Sequence, residues 1–219
     1  MGVRSAIKQL LIRQCRRPSG LLGEYVTHRM NVHHAQLTGW GLAHVTPQAD
    51  WTILDIGCGG GKTVARLADV ARQGHVFGID ASAKSVTVSR RTNRAAIQAG
   101  RVRVSQASVS RLPFRDGIFD CVTAVETHYF WPDFATDLRE VRRVLKPGGV
   151  FLLLAEVYRC DKFDERNQQW LRMLPMGYYS PSELNDFLNN AGFADVIVDE
   201  KSDEGWLCCL GRNPGPDRT

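Results

Sequence analysis

The residues best suited to chemistry in this 219-residue chain begin with a cluster of glycines, Gly57, Gly59, Gly60 and Gly61, just after Asp55. Glycine reaches left-handed backbone conformations at little cost, and its missing Cβ lets a ligand lie against bare backbone. A nucleotide-like ligand is the expected occupant of such a turn. Asp80 lies 25 residues beyond Asp55, close to the roughly 20-residue offset at which an acidic side chain meets ribose hydroxyls. Its carboxylate can accept two hydrogen bonds from a vicinal diol, and charge-assisted bonds are the stronger kind. Further on, Glu126, His128, Tyr129, Phe130 and Trp131 gather a carboxylate, an imidazole and three aromatic rings. Imidazoles and carboxylates are the groups suited to taking a proton from a reacting nucleophile, and His128, Glu126 and His34 are the candidate catalytic residues for it. Aromatic faces beside them can hold a cation.

Two known loop patterns fit less well. The dinucleotide fingerprint is G-x-G-x-x-G, whereas the alternating glycines here fall at 57, 59 and 61, with Lys62 next. The phosphate loop is G-x-x-x-x-G-K-[ST]; Gly61, Lys62 and Thr63 match its end, but Ile56 stands where its first glycine belongs. His28, His33 and His34 lack the i, i+4 spacing that sets two imidazoles on one helix face, and no acidic partner is expected near them. No metal is expected.

These residues need elements to position them. Trp51, Ile53 and Leu54 form an apolar run that stops at the glycines, and Val64, Leu67, Ala68 and Ala71 then follow helical spacing. The unit is strand, glycine turn, helix. Further strands are expected over 74–80, 102–104, 119–125 and 150–156, the last apolar enough to be buried on both faces. Helices are expected over 24–44, over 83–98 after Ser82, and after Asp133 with Phe134, Leu138, Val141 and Leu145 on one face. Ser180, Pro181 and Glu183 read as a capping box with proline at the first helical position. Two strands, 195–199 and 206–211, close the chain. Alternating strands and helices of this kind describe an α/β, doubly wound, mostly parallel sheet.

Several segments, in order, carry a family resemblance. Leu54-Asp55-Ile56-Gly57-Cys58-Gly59-Gly60-Gly61 closely resembles the first motif of class I S-adenosylmethionine-dependent methyltransferases. Ala107 followed by Leu112-Pro113-Phe114 is similar to the family's exit from its third strand, and Val144-Leu145-Lys146-Pro147-Gly148-Gly149 to the approach to its fifth. The resemblance is to the type 11 kind and spans residues 50–212. It implies a Rossmann-like seven-stranded sheet whose last strand is antiparallel. It also implies S-adenosyl-L-methionine as cofactor, and methyl transfer to N, O, S or C of a small-molecule acceptor. The implied cofactor contacts are Asp55, Gly57, Cys58, Gly59, Gly61, Asp80, Ala81, Ser108, Val109 and Glu126. Ser108 departs from the pattern, since the family usually has an acid there. By the same resemblance, residues 1–46 form a helical segment covering the site, with Met30, Asn31, His34 and Trp40 as pocket candidates. Residues 47–212 form the cofactor-binding domain, 158–179 a substrate-covering insertion and 213–219 a polar tail. Two rivals stand beside this reading: a catalytically silent cofactor-binding interaction module and a dinucleotide-dependent oxidoreductase.

The net charge of +5 is all in the leader. Residues 1–20 hold Arg4, Lys8, Arg13, Arg16 and Arg17 and no acid; the remaining chain carries 23 basic and 23 acidic residues. A nucleic-acid surface would spread its charge over the fold, so no nucleic-acid partner is expected. Ile7, Leu10 and Leu11 among those basic residues allow an amphipathic helix with weak contact to a membrane surface. The six cysteines show no C-x-x-C spacing, and no 18-residue apolar segment occurs. Reduced thiols in a cytoplasmic protein are expected.

Overall fold

In the computed structural model, which describes residues 11, 12 and 14–215, the apolar run before the glycines becomes β1 (Thr52–Ile56), the central strand. It pairs in parallel with β2 (His75–Asp80), which carries β3 (Val102–Gln106) at one edge. On its other side it pairs with β4 (Phe119–Val125), also parallel, followed by β5 (Leu145–Ala155). β6 (Ala194–Lys201) and β7 (Trp206–Arg212) form a final antiparallel pair, and β7 enters antiparallel beside β5. The strand order is β3-β2-β1-β4-β5-β7-β6. The expected seven-stranded α/β sheet with an antiparallel last strand is therefore present. Its direction of winding reverses between β1 and β4, the crevice where such sheets bind ligands.

The helices differ from expectation in two informative places. The helix expected over 24–44 is two, α1 (Gly20–His33) and α2 (Ala35–Leu42), because His34 leaves helical geometry at φ −84°, ψ 5°. After α3 (Lys62–Val70), the helix expected over 83–98 divides into α4 (Ala83–Thr92) and α5 (Arg94–Gln98) at Asn93. The Asn93 amide donates to Gly61 O at 2.9 Å and to Ser89 O at 2.9 Å, the kind of side-chain bond that competes with a helix. The rest follows the capping chemistry. Ser82 caps α4, and Asp133 caps α6 (Phe134–Val144) by accepting from Thr136 N–H. α7 (Asp164–Leu171) is short, and the capping box of Ser180 and Glu183 opens α8 (Pro181–Asn190).

Core forms on both faces of the sheet. Leu138, Val141, Leu184 and Leu188 of α6 and α8 pack with Phe151 and Leu153 of β5. On the opposite face, Val64 and Leu67 of α3 pack with Ile53, and Leu37 of α2 packs with Leu152, Leu154 and Cys208. Gly41 of α2 touches the Leu154 side chain so closely that a Cβ has no room. The start of the expected polar tail is not frayed: Asn213 is buried, donating from Nδ2 to Leu145 O and from its backbone to Gly149 O, both at 2.8 Å. Residues 216–219 lie outside the described ones, as do Arg4, Lys8 and Arg13 of the basic leader. Among the described residues the cysteines are all free, and no helix is long and apolar enough to cross a membrane.

Candidate active site

The glycine turn is held by the strand beside it. Gly57 and Cys58 donate their N–H groups to Ile79 O at 2.8 and 2.9 Å, and Gly61 donates to Cys58 O at 2.8 Å. Gly57, Gly59 and Gly61 take φ of +72°, +49° and +80°, a region costly for any residue with a Cβ. The expectation that all the bare backbone serves a ligand needs correction. A Cβ on Gly57 would strike Thr127, on Gly60 it would strike Asn31, and on Gly61 it would strike Ser89 and Asn93. Only Gly59 opens onto free space, with its nearest neighbour 3.9 Å from a built Cβ. Gly61, named as a cofactor contact, faces α4 and does not reach the cavity.

The cavity, about 810 Å³, lies at the carboxyl ends of β1, β2 and β4, within the 300–1,000 Å³ range of ligand pockets. The other nine expected cofactor contacts line it. Asp80 is oriented by two backbone amides: Gly59 N–H donates to Oδ2 at 2.9 Å and Ser82 N–H to Oδ1 at 2.8 Å. Each oxygen keeps acceptor capacity, as pairing with a diol requires. Asp55 lies beneath the turn, accepting from Thr123 Oγ1 at 2.7 Å, and burial pushes its carboxyl up to about 7. Cys58 is buried beside it with its thiol pushed upward by burial, which makes it packing rather than a nucleophile. Ser108 Oγ accepts from Ser110 N–H at 3.3 Å in an exposed turn, while Val109 sits in the core below.

The far wall holds two of the candidate proton acceptors, Glu126 and His34. Glu126 follows β4 with φ 56°, a strained value for a residue other than glycine. Its Oε2 accepts from the Tyr129 hydroxyl and its Oε1 from Glu156 N–H. Burial raises its carboxyl above the usual range. His34 Nε2 is 3.8 Å from Glu126 Oε2. That distance alone suggests an ion pair, but burial brings the imidazole down to about 4, so it is neutral at pH 7. Met30 and Asn31 line the same wall, whereas Trp40 does not and packs against Trp206 instead.

Three expectations change here. His128 is buried, packs against Tyr129, Phe134 and Tyr179, and does not line the cavity. Burial brings it down to about 3, so the three catalytic candidates reduce to Glu126 and His34. The segment 158–179 contributes nothing to the cavity wall; the cover comes from the leader, through Cys15 to Pro18, and from α1. Cys15 to Pro18 and α1 fall within the segment 1–46 that the resemblance expects over the site. Thr127, filling the space before Gly57, was unanticipated. Finally, an acidic partner does stand beside the histidine pair: Glu156 Oε2 is 3.0 Å from His33 Nε2.

The glycine turn, Asp80 and the reversal at β1 meet in one crevice, and comparison with known proteins specifies the family. A family model described as a methyltransferase domain matches residues 54–153. An O-methyltransferase of Aspergillus nomiae is 35% identical over 160 residues, covering 71% of this chain and 69% of that protein. An O-methyltransferase of Aspergillus sclerotiorum is 31% identical over 156 residues, which are 69% of this chain. The match spans only 58% of that relative's length. A chain from the complex between the Haloferax volcanii Trm112 methyltransferase activator and a methyltransferase shares the fold, with a TM-score of 0.75 at 23% identity. That alignment covers 86% of this chain and 93% of the other. The chain belongs to the class I S-adenosylmethionine-dependent methyltransferase family, of the type 11-like kind.

Proposed function

We propose that the protein binds S-adenosyl-L-methionine at the glycine turn and methylates an oxygen nucleophile of a small molecule. The observation carrying this reading is the convergence on one cavity of open backbone at Gly59, the amide-held Asp80 and the buried Glu126. The residues present fit the cofactor: Asp80 suits its ribose diol, and Gly59 leaves room against the backbone. Bound there, the cofactor supplies an electrophilic methyl group. The chain's own work is to align the acceptor, exclude water and remove a proton. Alignment alone can be worth effective molarities of about 10⁵ M or more. Phe130 and Trp131 line the wall next to Glu126 and keep it dry. Glu126 is the better proton acceptor of the two candidates, because burial makes its carboxylate more basic than usual and makes His34 less so. Oxygen as the acceptor atom is supported by the names of the two matched Aspergillus relatives.

Ligand-dependent melting tests the cofactor assignment. S-adenosylmethionine and its demethylated product are expected to raise the Tm, and NAD and ATP are not; stabilisation by NAD or ATP alone sinks the reading. With an acceptor found by screening hydroxylated compounds, Glu126→Gln should lower kcat by about 10²-fold or more. An unchanged kcat with a full cofactor shift would remove Glu126 as the base.

A further inference from the structure

His33 ends α1 and His34 is the non-helical residue after it. On a continuous helix of about 3.6 residues per turn, adjacent side chains diverge by roughly 100°. The break at His34 instead brings the two imidazole centroids to 5.2 Å. Glu156, just past the end of β5, reaches up to them, and one donor atom from each of the three residues lies within 4.8 Å of the others. Beside it stands Glu126 at the end of the neighbouring strand, joined to Glu156 through that residue's N–H. Among the described residues neither carboxylate forms an ion pair with a lysine or arginine, Arg166 donating instead to the Glu156 backbone carbonyl at 2.7 Å. The basic atoms beside them are imidazole nitrogens, His33 Nε2 at 3.0 Å from Glu156 and His34 Nε2 at 3.8 Å from Glu126. Two partly desolvated carboxylates at adjacent strand ends call for a compact positive charge.

The geometry points to a divalent transition-metal site of the zinc class formed by His33, His34 and Glu156. Two imidazoles and a carboxylate are a donor set that zinc accepts with its fourth position left to water or substrate. Magnesium and calcium prefer all-oxygen surroundings. Zinc–ligand bonds of about 2.0–2.2 Å need donors closer than those at the widest separation here. His33, with its side chain 70% exposed, has the freedom to swing in. His34 is itself part of the cavity wall, so the ion would border the cavity and fasten the α1–α2 turn to the end of β5. Metal binding at this place does not depend on the methyl-transfer reading.

Metal-stripped full-length protein should take up one equivalent of Zn²⁺ in a calorimetric titration. His33→Ala and Glu156→Gln should each weaken binding by more than the roughly 10–100-fold that loss of an outer-shell partner costs. His28→Ala, which alters an exposed histidine of α1 outside the cluster, should leave the affinity unchanged. Co²⁺ in place of Zn²⁺ should show ligand-field bands without thiolate charge transfer. Metal-free circular dichroism and melting of each variant confirm that the fold is intact. The assignment is overturned by no uptake, by uptake that survives both variants in folded protein, or by thiolate bands that move the ion to a cysteine.

Discussion

Asp55 is the residue whose environment has the clearest thermodynamic consequence. Its carboxyl titrates near 7 in the fold against an ordinary 3.8, with burial as the main cause. Between those values the folded protein retains a proton that the unfolded chain releases. The stability Asp55 contributes is therefore fully present below about pH 4 and is lost as pH rises through about 7. Each tenfold change in proton affinity is worth about 1.4 kcal/mol. Asp55→Asn should therefore be more stable than the parent at pH 8 by a margin on the order of a few kcal/mol, and the margin should shrink toward pH 5. Urea unfolding of both cofactor-free proteins at the two pH values measures this; a constant gap contradicts it. Asp55, Gly59 and Asp80 were legible as residues that would share one cavity, because their places depend on local spacing around one turn. His128 was misplaced for the opposite reason. A run of aromatic and imidazole side chains after a strand does not reveal which of them turn toward the core, and the 3-10 turn at His128–Phe130 decides that.

Among the elements, α1 and the glycine turn fit together through one contact. Gly60 lacks a Cβ because Asn31 of α1 occupies that space, and Thr92 Oγ1 donates to Gly60 O at 2.7 Å from the other side. Gly60→Ala should cost about 1–3 kcal/mol, the usual range for forcing extra volume into packed structure. Adding Asn31→Ala should return part of that loss, so a double-mutant cycle should give a favourable coupling. Strict additivity would show that the two positions do not share this space. The strands and caps were readable in advance because their signals are periodic or short-range, as at Asp133 and Ser180. The breaks at His34 and Asn93 were not. Asn93 is held by the glycine turn 32 residues away, and His33 meets Glu156 at a separation of 123 residues. Long-range partners of that kind leave no local pattern.

At the scale of the molecule, the division into an N-terminal cover and a separate domain proves too sharp. α2 is part of the core: Leu37, Leu152, Leu154 and Cys208 form one buried cluster with Val45 and Trp206. Deleting residues 1–46 would strip that face of β5 and β7 and expose a contiguous apolar patch, a known aggregation liability. The deletion variant should elute as aggregate or bind a hydrophobic dye strongly. A monodisperse monomer with native near-ultraviolet dichroism would count against the assignment of α2 to the core. The tethering of Asn213 to Leu145 and Gly149 has a practical side. β7 runs opposite to β5, so the described chain leaves the sheet at the start of β5, on the edge away from the cavity. A fluorophore, resin or fused carrier attached after residue 215 would hang clear of the ligand entrance, whereas cargo joined ahead of Cys15 would crowd it.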